Sequence, residues 1–522
     1  MKRHLRPLHM DETWSSAIRH LSRDGKQSKV LVCGPKGSGK STFSRYLLNH
    51  LLSPAPQPET GYSNTDGVAF LDLDPGQPEF SPMGQIYLAH LNSPILGPPF
   101  THPSLDNSAD GTVIRAHHIG ATSPKEDPDH YVLAVMDLMD RYRALQATYP
   151  QCPLIVNYPG WIFGLGLEVA TWAVRSLGLS NVVYMSDKGP SEVVEPLALA
   201  AHDAKIPLIA LRSQPTDFVT RSSAQLRSMQ MQSYFHMSRA SEIRDPFWSD
   251  TPTSRTQPFL VDYAGPRQGI RGIMVMGSQI SPDLLHDVLD GAVVGVIAAE
   301  TPNPIMGQAT IPGPSTDHVQ ESETPEDEMD FNGEVPDANM FDQSPPSLES
   351  NIIRTAAEDL PYLFAGAGSC NPLDPKASHS LGLALVRAIN IPSRKLELVT
   401  PIPTAKIRNA IEQGHGIILA RGQLDNPNWA ISEEYYAAKA AEKRHHQTIA
   451  DAKKNRNIKE GTAVLDELAK TSAVLRERTK RASDVPWMKV VEESKRQQDS
   501  ANRDQSVWKL RKKAYHDESE RE

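Results

Sequence analysis

The sequence predicts an α/β fold, a parallel sheet with helices on both faces, followed by a smaller mainly β domain and a charged helical tail. Three observations carry that prediction. Short Val-, Ile- and Leu-rich runs alternate with helical patterns from Val30 to Leu211, as parallel strands joined by crossover helices do. Apolar runs continue from about Phe259 to Leu424 with few long helices between them. After Trp429 the chain is charged, with only a thin apolar stripe at helical spacing.

Residues 1–28 read as a short polar segment, helical around Trp14–Leu21, and as the remnant of a missing N-terminal domain. The first domain spans 29–245. In it, Val30–Cys33 is a buried strand and Ser41–Leu52 a helix with apolar residues at helical spacing. Pro54–Asp66 is a loop, and Val68–Asp74 a second strand stopped by Pro75-Gly76. Pro78–Asp127 reads as an extended, proline-rich insertion of loops and short strands. Helices at Asp129–Ala147, Gly166–Leu177 and Ser191–Ala204 alternate with strands at Pro153–Asn157, Asn181–Met185 and Ile206–Leu211. The second domain, 255–425, has strands at Gly272–Gly277, Gly291–Ala298, Lys395–Val399 and Gly416–Ala420. The stretch 308–353, without a single Lys or Arg and rich in Asp, Glu, Pro and Ser, interrupts it and is expected to be disordered. The tail, 426–522, reads as helical or disordered.

With 522 residues the chain is long enough for two or three domains. A net charge of −9 argues against a uniformly basic nucleic-acid coat. The three cysteines, Cys33, Cys152 and Cys370, have no metal-ligand spacing and suggest no disulfide framework. No apolar stretch near Met1 resembles a signal peptide, and no run of about 18 apolar residues suggests a membrane span.

Gly34-Pro35-Lys36-Gly37-Ser38-Gly39-Lys40-Ser41 matches G-x-x-x-x-G-K-[ST], the P-loop pattern, with a strand before it and a helix after it. Such a loop wraps backbone N–H groups around a polyphosphate, with Lys40 reaching the β and γ oxygens and Ser41 the magnesium ion. The first domain is therefore expected to be a P-loop NTPase sheet. Asp72 and Asp74 close the next strand, where residues two apart share a face. One can hold Mg²⁺ and the other accept a hydroxyl proton; strand-end acids in a turn are the plainer reading. Asn157-Tyr-Pro-Gly160-Trp161 follows a strand end at the ligand crevice. There Gly160 allows close approach and Trp161 can stack on a base, although core packing is the commoner fate of a lone Trp. Arg221 to Arg227 can form a mobile helical lid over the phosphates, or a solvated face, which spacing alone favours.

Together the motifs at 34–42, 72–77 and 157–161 resemble the eukaryotic polynucleotide 5′-hydroxyl kinases. Leu96–His102, Gly120–Pro124 with Asp127-Pro128, and Gly272–Val275 resemble the nucleolar pre-rRNA-processing branch, fungal type. The resemblance runs from about Val30 to Trp429. It implies an ATP- and Mg²⁺-dependent kinase acting on the 5′-OH end of RNA in internal transcribed spacer processing. It implies ATP and metal binding by Lys40, Ser41 and Thr42, base and metal contacts from Asp72 and Asp74, and help from Gln77 in the metal shell. Asn157, Gly160 and Trp161 would form the clasp that positions substrate, with Arg221 and Arg227 as the lid. It further implies a Las-type endoribonuclease partner and a nuclear, nucleolar location. Family members carry a β-rich domain ahead of the kinase, which this sequence lacks, and the basic cluster Lys509–Lys513 lies beyond the resemblance.

Two other readings stand beside the kinase. In one, the chain is a non-catalytic ATP-binding scaffold; the acid pair argues against it. In the other it is an ATPase switch with a second loop lysine, and Pro35 occupies that lysine's place.

Overall fold

A computed structural model describes residues 11–23, 28–53, 65–106, 108–186, 191–214, 221–238, 246–306, 348–364, 372–454 and 461–483. Most of the acidic stretch and the cluster Lys509–Lys513 lie outside them. Residues up to Asn428 form one compact unit and those from Trp429 a second.

The first unit holds two sheets. The first contains β1 (Lys29–Cys33), β2 (Val68–Asp72), β3 (Gln85–Leu91), β4 (Gly111–His118), β5 (Leu154–Asn157), β6 (Asn181–Met185) and β7 (Leu208–Leu211). Their order is β4-β3-β2-β5-β1-β6-β7. From β2 to β7 every neighbour is parallel. The expected parallel sheet is thus present, but it is extended: β3 and β4 add to β2 in antiparallel sense. The segment read as a loop-rich insertion therefore contains two full strands, one of 7 and one of 8 residues. Every residue of β3 is buried, so it lacks the polar–apolar alternation that marks a half-exposed strand.

Helices cover both faces. They are α1 (Glu12–Arg23), α2 (Lys40–Leu51), α3 (Pro128–Thr148), α4 (Leu165–Ser176), α5 (Ser191–Asp203) and α6 (Ser223–His236). In α2, Phe43, Leu47, Leu48 and Leu51 recur at helical spacing and are buried; each contributes about 1.5–3 kcal/mol by leaving water. The helix of the N-terminal segment is part of this core. Trp14, Ala17, Ile18 and Leu21 of α1 pack with those α2 residues, and the Trp14 and Phe43 rings meet edge to face at 5.5 Å. A hairpin, β8 (Met237–Ser238) with β9 (Phe247–Trp248), follows α6.

The second sheet comprises β10 (Phe259–Asp262), β11 (Gly272–Val275), β12 (Val293–Ala299), β13 (Ile352–Arg354), β14 (Pro361–Leu363), β15 (Ser378–Asn390), β16 (Lys395–Val399) and β17 (Gly416–Arg421). Its order is β10-β16-β15-β12-β17-β11-β14-β13, mostly antiparallel, with α7 (Leu285–Leu289) and α8 (Thr404–Glu412) as its helices. The end of the acidic stretch is ordered: Leu348–Asn351 is a 3-10 turn and β13 pairs with β14.

The two sheets are joined, not strung on a linker. Arg115 on β4 pairs with Asp137 on α3 at 2.6 Å and with Glu300 beyond β12 at 2.5 Å. It also donates to the carbonyls of Pro375 and Ser378. The second unit carries α9 (Asn428–Lys454) and α10 (Gly461–Ser483), linked by an Arg478–Glu434 ion pair. No helix among the described residues is long and apolar enough to cross a membrane.

Candidate active site

Three strand ends meet at one edge of the first sheet. Asn157 on β5 is level with Asp72 on β2 and with Val32 on β1. The loop Gly34–Gly39 leaves β1 at that edge and delivers the chain into α2. Gly39 is the N-cap of α2 with φ of 105°, a left-handed conformation that side chains with a Cβ avoid. A Cβ there would also lie 2.8 Å from the Gln214 side chain and 3.0 Å from the Trp14 ring. Lys40, Ser41 and Thr42 form the first helical turn, whose N–H groups and dipole favour an anion. Lys40 is buried, and its Nζ donates to the Pro35 carbonyl at 3.0 Å. Burial lowers its pKa, while the charge of Asp74 opposes that shift.

The acid pair divides into two environments. Asp72 is fully buried and accepts four hydrogen bonds. Its Oδ1 takes Asn157 Nδ2 at 2.9 Å and the Asp74 N–H at 3.2 Å; its Oδ2 takes the Glu79 N–H at 2.7 Å and the Tyr87 hydroxyl at 2.9 Å. A carboxylate offers about four lone-pair positions, so Asp72 is saturated. Burial pushes its pKa up to about 7, against the pull of the Glu79, Asn157 and Asp74 donors.

Asp74 lies past the strand, because β2 ends at Asp72. The shared-face argument therefore does not orient it; a turn does. Its Oδ1 accepts the N–H groups of Gly76 at 2.9 Å and Gln77 at 3.2 Å. The charges of Lys40 and Arg227 both draw its pKa down against the larger upward effect of burial.

The clasp segment touches the loop directly. A Cβ on Gly160 would stand 3.0 Å from the Cα of Lys36, so only glycine permits this approach without displacement. Trp161 is half-buried: it packs on the core, and Gly166 lies against its ring. Core packing, the commoner fate, thus accounts for part of this side chain. Arg221 precedes the capping box that Ser222 and Gln225 form at the start of α6. Arg227 is half-buried on α6. The helix is not a free lid: buried Gln230 ties it to the carbonyls of Pro78 and Ser81 at 2.7 and 2.9 Å.

Sequence reading missed the shell behind Asp72. Glu79 is held by Arg45 through two bonds of 2.8 and 2.9 Å and by His102 at 2.9 Å. Those partners hold its carboxyl below the usual range despite burial. His102 ends the segment Leu96–His102, whose presence was noted without a role. Only distance in sequence concealed the contact.

Two buried oxygens at the site have no partner: Ser38 Oγ in the loop and Asn157 Oδ1 beside Asp72. They suit a bound ligand that carries its own donors or waters. Among the described residues no three His, Cys, Asp or Glu side chains form a metal cage. Mg²⁺ on phosphates needs no such cage, only one or two carboxylates plus waters, so Ser41 and Asp74 fit it; the expected metal contact from Asp72 does not, because its four acceptor positions are taken.

A glycine loop between a strand and a helix, with Asp72 ending a parallel strand two places along the sheet and Asp74 in the turn after it, is the arrangement of P-loop nucleotide-binding proteins. Residues 34–237 match the family model of the mRNA cleavage and polyadenylation factor CLP1 P-loop. The chain is 68% identical over 532 residues to the polynucleotide 5′-hydroxyl-kinase grc3 of Aspergillus clavatus, covering 99% of this chain and 63% of that protein. It is 68% identical over 527 residues to the same-named protein of Neosartorya fischeri, with 98% and 63% covered. The GRC3 kinase of Gibberella zeae is 34% identical, with 92% and 61% covered. The chain is similar to these fungal polynucleotide kinases over most of its own length and spans less than two thirds of the length of these relatives. A solved Clp1p–Pcf11p complex aligns with 14% identity and a TM-score of 0.48 over 80% of each chain, too distant to add to the argument.

Proposed function

We propose that the chain is an ATP-dependent polynucleotide 5′-hydroxyl kinase that transfers the γ-phosphoryl group of ATP to the 5′-OH end of RNA. The observation that carries this reading is Asp74, held in the turn after β2 by the Gly76 and Gln77 N–H groups and acted on by the charges of Lys40 and Arg227. A nucleotide-binding scaffold has no use for a proton acceptor there. The names of the relatives support the same activity.

In this mechanism the loop amides and the start of α2 hold the phosphates, and Ser38 and Thr42 add hydroxyl contacts. Asn157, Gly160 and Trp161 seat the 5′-terminal nucleotide, its base against the indole. The 5′ oxygen forms a bond to the γ-phosphorus as the β–γ bridging bond breaks and ADP leaves; Asp74 takes the hydroxyl proton. Lys40 and Arg227 meet the charge on the transferring group, with Arg221 at the start of α6 as a further cation for it. Asp72 keeps the β2 end and the Glu79 loop in register. Bound Mg²⁺, held with Ser41 and Gln77 nearby, would neutralise phosphate charge.

The biological setting rests on the family resemblance: pre-rRNA spacer processing in the nucleolus, beside a Las-type endoribonuclease that leaves a 5′-OH. The enzymatic reading is tested with γ-labelled ATP and matched RNA and DNA oligonucleotides ending in 5′-OH or 5′-phosphate. Label is expected on 5′-OH RNA and absent from 5′-phosphate ends. Tight ATP binding without transfer to any acceptor favours the scaffold. Copurification with the endoribonuclease tests the partner.

A further inference from the structure

Three side chains of α6 are spaced so that they share one face of the helix: Arg227, Gln230 and Tyr234, three and four residues apart. Each reaches a different body. The charge of Arg227 acts on Asp74. Gln230, 4% exposed, donates from Nε2 to both the Pro78 and Ser81 carbonyls. These carbonyls flank Glu79, whose N–H holds Asp72. Tyr234, also buried, meets β15: its hydroxyl accepts the Leu383 N–H at 2.9 Å and contacts the Leu383 carbonyl at 3.3 Å. Gly382 makes room for that hydroxyl, because a Cβ there would lie 2.7 Å from it.

We propose that Gln230 is a positioning residue for phosphoryl transfer, locking α6 onto the loop behind the acid pair so that Arg227 keeps a fixed reach to the transferring group. The proposal rests on the kinase reading above. One amide nitrogen bridging two carbonyls sets both the height and the rotation of the helix, one turn from Arg227. Tyr234 sets the far end against the second sheet. The acid that receives the proton and the arginine that meets the charge therefore sit on one braced unit. Loss of the brace leaves ADP binding intact, since α2 and the loop are untouched, and lowers the rate of transfer. A shift of about 1 Å in a positioned group costs up to about 100-fold in rate.

The test is a double-mutant cycle in the full chain with Gln230→Ala, Arg227→Ala and the double variant. Single-turnover phosphorylation of 5′-OH RNA is read together with affinity for ADP and for ADP with aluminium fluoride, a mimic of the transferring phosphoryl group. Expected is a loss of about 10- to 100-fold in rate and in fluoride-complex affinity for Gln230→Ala when Arg227 is present. When Arg227 is absent the further loss stays under about 2-fold, because coupled groups are not additive. Equal losses in both backgrounds, or no loss in either, overturn the proposal. Gln230→Met fills the same volume and replaces Gln230→Ala if that variant melts early. If the unaltered chain phosphorylates no RNA, the kinase reading fails, while the fluoride-complex cycle still decides the role of Gln230.

Discussion

Replacing Asp74 and Asp72 one at a time by Asn separates two roles that their spacing makes look alike. In Asp74→Asn the amide oxygen still accepts from Gly76 and Gln77, so the turn survives. What disappears is the carboxylate on which the charges of Lys40 and Arg227 act. A positioned general base is worth about 10²- to 10⁴-fold, or about 3–5 kcal/mol of barrier. The melting temperature should hold or rise, because burial already disfavours the charged form of Asp74. In Asp72→Asn one of the two oxygens becomes a donor facing two donors: either Asn157 and the Asp74 N–H, or the Glu79 N–H and Tyr87. Each buried donor left unpaired costs about 1–3 kcal/mol, so this variant should melt earlier as well as react slower. The assay is single-turnover transfer from γ-labelled ATP, with thermal melting on the same samples. The reasoning is refuted if Asp74→Asn keeps transfer within about 3-fold of the original chain, or if it melts earlier than Asp72→Asn.

Two further predictions follow from neighbouring groups. Trp161→Ala should raise KM for RNA by roughly 10- to 100-fold, the worth of one stacked base, with KM for ATP unchanged; steady-state kinetics in each substrate reads this. His118 is buried with neither ring nitrogen bonded, and burial holds its pKa down to about 3, with His130 and Arg421 adding to the shift. Its folded pKa is depressed, so its neutral form is stabilised, and that contribution is lost as pH falls from 6.5 toward 3. At pH 5 the loss is about 2 kcal/mol. Asp72, raised to about 7, changes stability in the opposite sense over this window, so the check is the difference: on going from pH 7.5 to 5, His118→Phe should gain in melting temperature relative to the original chain.

The core of the site was legible because its logic is local. Gly34–Ser41 is one uninterrupted motif, and its flanking strand and helix are set by apolar residues close to it in the chain. The strands that carry Asp72 and Asn157 are short Val/Ile/Leu runs, which buried parallel strands require. What escaped reading depends on partners far apart in sequence. Glu79 meets Arg45 and His102 at separations of 34 and 23 residues, and Gln230 meets Pro78 at 152. Neither pattern nor propensity carries such pairs. The strands β3 and β15 escaped for another reason: buried on both faces, they show no alternation, and β15 mixes Ser, Gly and Ala among its Leu residues. Arg227 is half-buried where spacing favours a solvated face, because Gln230 and Tyr234 on the same side of α6 take buried partners.

The central claim is that the P-loop serves phosphoryl transfer to a 5′-hydroxyl, and Lys40→Ala tests it most directly. Purified chain and variant are given γ-labelled ATP and a 5′-OH RNA oligonucleotide, and label at the RNA 5′ end is counted over time. The account predicts steady transfer by the chain and loss of at least about 100-fold in the variant, the scale of removing one preorganised charge from a transition state. Equal transfer by both, or ATP bound by the chain with no label ever reaching RNA, would contradict it.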